Sequence, residues 1–204
     1  MPILDKASEE IFAIISAHFA VSEPNPLETI TAALAAVAGE QLVRQIIPSG
    51  RIDSKTIWVF DEKVEDVLYR RERDTLNIII GAGAVASGLP FERLPDMVEI
   101  LERTDAAIRD SSSFPPLSIP REMYPAEWPP NCAFRHRSQI DYILDNNNLK
   151  GEGRVLACAL AVSKMVKLNG EMTGDVWHFF ILALEVLAGC SRMAPLKAEM
   201  KSLW

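Results

Sequence analysis

A proline-rich segment in the middle of the chain constrains the fold more than any other feature. Six prolines fall within residues 111–131. Proline lacks a backbone N–H and clashes with the preceding helical turn, so this segment forms neither a helix interior nor a central strand. Large apolar side chains such as Phe114 and Trp128 recur through it, which is untypical of a free linker. We therefore expect an extended strap over the protein body, with a polyproline II segment displayed to a partner as the alternative.

On both sides of this segment, apolar residues recur at helical spacing. Asn25, Pro26 and Glu28 provide a start signal as N-cap, first helical residue and a side chain that reaches back to the cap. One strand-like run, residues 56–60, is compatible with a short β-hairpin near residues 51–60. A single hairpin does not build a sheet. We predict an all-α, single-domain, multi-helix bundle of about seven to nine helices over residues 1–204. The helical patterns cover residues 4–21, 26–47, 61–88, 94–110, 138–145, 154–168 and 175–188.

A glycine motif resembles a nucleotide-binding loop at first sight. The sequence IIIGAGAVA places Gly81, Gly83 and Ala86 at the spacing of a dinucleotide fingerprint. That fingerprint needs a strand before the glycines and a long helix after them, whereas here a helical pattern precedes them and residues 88–90 end the helix. We interpret Gly83 and Ser87, one turn apart, as small residues at a close helix contact. Dinucleotide binding through Gly81-x-Gly83-x-x-Ala86 is kept as an alternative.

Charge and composition exclude several classes of function. The net charge is −7 and the isoelectric point is about 5.1, which argues against nucleic-acid and anionic-membrane partners, since both attract basic surfaces. No apolar run reaches the roughly 20 residues that span a bilayer, and the first residues lack a signal-peptide pattern. Three widely spaced cysteines favour a reducing compartment and no zinc knuckle. We expect a cytoplasmic protein without metal or cofactor.

The last predicted helix carries the candidate site residues. Asp175, His178 and Glu185 share one face of it, and Trp177 lies beside them. A single carboxylate-x-x-histidine pair supplies too few ligands for a di-metal bundle centre. The simplest interpretation is that Asp175 favours the helix N-terminus with His178 in the first turn. Glu185 lies in an apolar segment, so if it is buried it needs a partner there, such as an arginine from another helix, or a shifted pKa.

No catalytic set is recognisable in the sequence, since nucleophile-elbow, phosphate-loop and zinc-protease motifs are absent. We therefore expect a non-enzymatic protein-interaction or regulatory module, with a partner protein or a second copy as a homodimer. The alternative is a small-molecule-binding protein or enzyme with a pocket between helices, lined by Trp177, His178, Phe179 and Glu185.

Overall fold

The computed structural model describes residues 2–20, 24–47, 57–71, 75–111 and 113–201. Within these ranges it contains helices and no strand, which confirms the predicted all-α class. Buried residues from every α-helix join in one continuous hydrophobic core. The α-helices are α1 (Pro2–Phe19), α2 (Pro26–Ile46), α3 (Glu62–Glu65), α4 (Leu76–Ala86), α5 (Met97–Ser111), α6 (Pro129–Asn146), α7 (Glu152–Thr173) and α8 (Val176–Ser191).

Helix α2 is the centre of the bundle. Every residue from position 28 to position 43 is buried, and α1, α6, α7 and α8 pack around it. Small side chains bring these helices close together: a Cβ added to Gly39 would lie 2.8 Å from the Cβ of Cys190 on α8. The small residues in the middle of α2 therefore allow close helix packing.

The contact between α4 and α7 depends on two glycines. A Cβ on Gly83 would lie 2.2 Å from the carbonyl oxygen of Ser163, and a Cβ on Gly170 would lie 2.7 Å from the Oγ of Ser87. The interpretation of Gly83 and Ser87 as close-contact residues is therefore confirmed. Helix α4 also runs through both Gly81 and Gly83. These glycines thus do not lie in a loop between a strand and a helix, which is the geometry that a dinucleotide fingerprint requires.

Three predicted helix boundaries are wrong. The helix predicted over residues 61–88 is interrupted, because Arg71 and Thr75 both have extended backbone. Helix α6 begins at Pro129 and not at residue 138, since prolines in the first turn lose no hydrogen bond. Helix α7 continues past Gly170 and ends at Gly174 in the left-handed conformation (φ 76°). Gly170 is used for packing, so it does not end the helix.

The predicted hairpin falls largely on residues 51–56, which lie outside the described residues. Residues 57–59 pair with the segment that follows α8. The amide of Val59 donates to the carbonyl of Arg192 at 2.7 Å, and the amide of Ala194 donates to the carbonyl of Ile57 at 2.8 Å. This short antiparallel contact joins distant parts of the chain.

Residues 113–128 form the strap, which has no regular secondary structure apart from one 3₁₀ turn at Arg121–Met123. Its apolar side chains are buried, including Phe114 at 2% and Trp128 at 3% exposure. Burial of these anchors favours a structural strap over a displayed ligand segment. The prolines at 129 and 130, assigned to the extended segment from sequence, belong to α6.

The start of α2 binds the strap. The side-chain amide of Asn25 donates to the carbonyls of Glu122 (2.7 Å) and Tyr124 (3.0 Å). Asn25 is the N-cap residue, as predicted, but its side chain makes no capping hydrogen bond. Glu28 does not reach back to the cap as the sequence indicated, because its carboxylate is paired with a histidine of α8.

Candidate functional site

Two of the predicted site residues stabilise the start of α8. Asp175 is the N-cap residue, and its Oδ1 accepts a hydrogen bond from the backbone amide of His178 at 3.1 Å. The Nε2 of His178 lies 3.1 Å from the Oε1 of Glu28 on α2, and both side chains are buried. His178 therefore links α8 to α2.

Glu185 is buried and fully paired. Its carboxylate forms an ion pair with Arg103 of α5, which confirms the expectation of an arginine from another helix. It also accepts hydrogen bonds from the backbone amide of Ser118 at 2.8 Å and from the Oγ of Ser118 at 2.5 Å. Glu185 thus holds the strap and α5 against α8.

Trp177, His178 and Glu185 have different surroundings in the described part of the chain. His178 and Glu185 lie two turns apart on one face of α8, but each is engaged by a different neighbour because a buried polar group needs a partner. Trp177 is 43% exposed and lines a surface depression with Leu89 and Arg93. Of the predicted residues, Trp177 is therefore the one that lies at a cavity.

A different cavity lies between α4 and α8. We call it the α4/α8 groove; its volume is about 470 Å³. Gly81 lies at its floor, where an added Cβ would be 3.6 Å from side-chain atoms of both Leu94 and Phe180. The groove is lined by Asn77, Ile78, Gly81, Ala82, Val85, Phe91, Leu94, Pro95, Phe180 and Leu184.

The edges of the α4/α8 groove expose an unusual amount of apolar surface. Phe91 is 73% exposed, Ile78 is 51% exposed and Val85 is 39% exposed. Residues 75–91 contain no charged side chain. Sequence reasoning noticed this segment for its glycines and missed its exposed face. The available signal was three consecutive isoleucines in a helix, which cannot all face one side.

The second depression adjoins the same loop. Its volume is about 490 Å³, and it is lined by Leu89, Arg93 and Trp177. Within the described part of the chain, the guanidinium of Arg93 makes no ion pair and no hydrogen bond. A cation thus lies close to the apolar groove without a charge partner among the described residues.

The histidine of α6 and the cysteines are buried away from the groove. The ring of His136 lies 4.6 Å from the ring of His18, and its Nε2 has no hydrogen-bond partner among the described residues. Burial lowers the pKa of His136, although a hydrogen bond with Gln139 acts in the other direction. Burial also raises the pKa of Cys132, and it raises the pKa of Cys158 to about 12. These thiols are not activated as nucleophiles.

Comparison with known proteins gives no functional lead. The chain matches no protein-family model, and no curated protein or solved structure is significantly similar to it. None of the described helices combines the length and apolar character needed to cross a bilayer. The described residues also contain no group of three or more His, Cys, Asp or Glu side chains that could hold a metal. The α4/α8 groove is therefore the feature from which function can be inferred.

Proposed function

We propose that this protein is a non-enzymatic binding protein that takes an apolar small molecule into the α4/α8 groove. One observation carries the proposal: the groove has a volume of about 470 Å³, and every residue lining it except Asn77 is apolar or glycine. Small-molecule sites are concave, predominantly apolar cavities of about 300–1,000 Å³. The groove meets both conditions.

The exposed side chains of the groove supply the driving force for binding. Phe91, Ile78 and Val85 hold large apolar surfaces in water in the free protein. A ligand seated between α4 and α8 removes part of that surface from water, which contributes about 25 cal/mol per Å² of apolar area buried. The binding of an apolar ligand is therefore favoured because it removes these exposed apolar side chains from water.

A protein partner in the same groove is the second candidate function. The 73% exposure of Phe91 favours it, because large aromatic side chains are typical anchors of protein interfaces. The occupant would be an amphipathic helix of a partner or of a second copy of the chain. A cytoplasmic location is part of the proposal and is supported by the three cysteines, all of which are unpaired.

Isothermal titration calorimetry with decanol tests the first candidate. We expect saturable binding to the wild-type protein and at least tenfold weaker binding to Gly81→Leu, because the new side chain enters the groove. Gly153→Leu is the matched control, since it places the same side chain on the first turn of α7, where an added Cβ makes one ordinary contact with Leu149. Absence of decanol binding, or equal binding to the two variants, would contradict the proposal.

Size-exclusion chromatography with light scattering tests the second candidate. A second copy in the groove predicts a dimer that Phe91→Ser converts to a monomer. A monomer at all concentrations would exclude a second copy as the occupant of the groove.

A further inference from the structure

We infer that the ligand of the α4/α8 groove is an amphiphile with an anionic head, of which a fatty carboxylate is the simplest example, and that Arg93 binds the head. This inference rests on the proposed function and adds the chemical class of the ligand. It follows from the loop between α4 and α5, which lines the apolar groove and also carries Arg93, a cation without a charge partner among the described residues.

The loop between α4 and α5 contributes to both cavities. Phe91 and Leu94 line the α4/α8 groove, whereas Leu89 and Arg93 line the second depression. The 3₁₀ turn Phe91–Arg93 therefore separates an apolar cavity from a cavity that contains a guanidinium. A molecule that occupied both would have one apolar end and one polar end.

Helix α8 provides a continuous surface along the two cavities. Trp177, Phe180 and Leu184 are spaced i, i+3 and i+7, so they lie on one face of the helix. Leu184 and Phe180 line the α4/α8 groove, and Trp177 lines the second depression. The seven helical steps from Trp177 to Leu184 correspond to about 10 Å along the axis. One face of α8 therefore contributes to both cavities, and a ligand that occupied both would lie along it.

The charges near the cavities favour an anionic head. Arg93 is the one charged side chain among the described residues that line either cavity. By contrast, the buried Arg192 is paired with Asp105 and Glu65, which leaves it unavailable to a ligand. A guanidinium binds a carboxylate with two parallel hydrogen bonds, which a neutral or cationic head cannot reproduce. Charge complementarity at Arg93 therefore favours an anionic head over a neutral or cationic one.

Calorimetry with three decyl compounds tests the inference. Decanoate, decanol and decyltrimethylammonium have the same chain and differ in head charge. Because Arg93 is exposed, we expect decanoate to bind about threefold to tenfold more tightly than decanol, and decyltrimethylammonium to bind most weakly. Arg93→Gln should remove the preference for decanoate, so that decanoate binds no more tightly than decanol to the variant. Arg121→Gln is the matched control, since Arg121 is an exposed arginine in the other 3₁₀ turn, on the strap.

The outcomes separate this inference from the proposed function. If decanol and decanoate bind equally and Arg93→Gln has no effect, the anionic-head inference is wrong and the apolar groove stands. If decyltrimethylammonium binds as tightly as decanoate, the inference is wrong as well. If none of the three compounds binds, both proposals fail. Binding to phosphatidylglycerol vesicles without binding to free decanoate would assign Arg93 to a lipid surface and overturn a soluble amphiphile.

Discussion

Replacing Gly83 with alanine should destabilise this protein, whereas the same replacement at Gly81, two residues away in the same helix, should not. An added Cβ at Gly83 would lie 2.2 Å from the carbonyl oxygen of Ser163 and 2.7 Å from its Oγ. The Oγ is itself held, since it donates to the carbonyl of Ile79 at 2.7 Å. Neither atom can move without shifting α4 away from α7.

The contacts determine the expected magnitude. Overpacking of a core costs about 1–3 kcal/mol, and a clash with backbone belongs at the upper end of that range. Alanine regains up to about 1 kcal/mol of helix propensity, so Gly83→Ala should lose about 2 kcal/mol net. An added Cβ at Gly81 meets side-chain atoms of Leu94 and Phe180 at 3.6 Å, an ordinary van der Waals distance, so Gly81→Ala should be neutral or gain up to about 1 kcal/mol. The two variants should differ by about 2–3 kcal/mol.

Urea denaturation followed by circular dichroism measures this difference. At equal m-values, the free energy of unfolding should be lower for Gly83→Ala than for Gly81→Ala, and the melting temperatures should differ by about 4–12 °C for a chain of this size. If Gly83→Ala proved as stable as Gly81→Ala, the close contact between α4 and α7 would be refuted.

Three further predictions follow from the buried polar groups. Glu185→Gln should lower the free energy of unfolding by about 1–2 kcal/mol and speed amide exchange at Ser118, whose backbone amide donates to the Glu185 carboxylate. The ion pair with Arg103 adds little to this loss, because Arg103 is half-exposed. Unchanged stability and exchange would contradict this prediction. The lowered pKa of His136 means that the unfolded chain binds more protons, so stability should fall as the pH drops through the unfolded value near 6.5. His136→Gln should flatten the dependence of the urea midpoint on pH. An unchanged slope would show that the lowered pKa of His136 does not cause this pH dependence. Burial raises the thiol pKa of all three cysteines, Cys132, Cys158 and Cys190. Thiol reagents should therefore label the protein only after unfolding. Rapid labelling of the native protein would show an accessible thiolate and contradict the prediction.

The candidate site shows which properties of its residues local sequence patterns predict and which they do not. The need of Glu185 for a partner was predictable, because an ionised carboxylate in an apolar helix must be compensated. That the partners are Arg103 and Ser118 was not, since both lie more than sixty residues away along the chain. Trp177 lines a surface depression with Leu89 and Arg93, which lie more than eighty residues before it in the chain. The α4/α8 groove could not be predicted from the sequence, because its floor is formed by Gly81 and Phe180, which are distant along the chain and meet only in the folded protein.

The sequence by itself determined the helical class, the presence of a strap within residues 111–131 and the use of small residues for close packing. These features follow from hydrophobic period, from the missing amide of proline and from side-chain volume, all of which act within one or two turns. Only the tertiary structure decided that Gly83 meets a backbone while Gly81 faces an apolar groove. The two glycines belong to one motif and one helix. Their roles differ because distant segments, α7 and α8, pack on different sides of it.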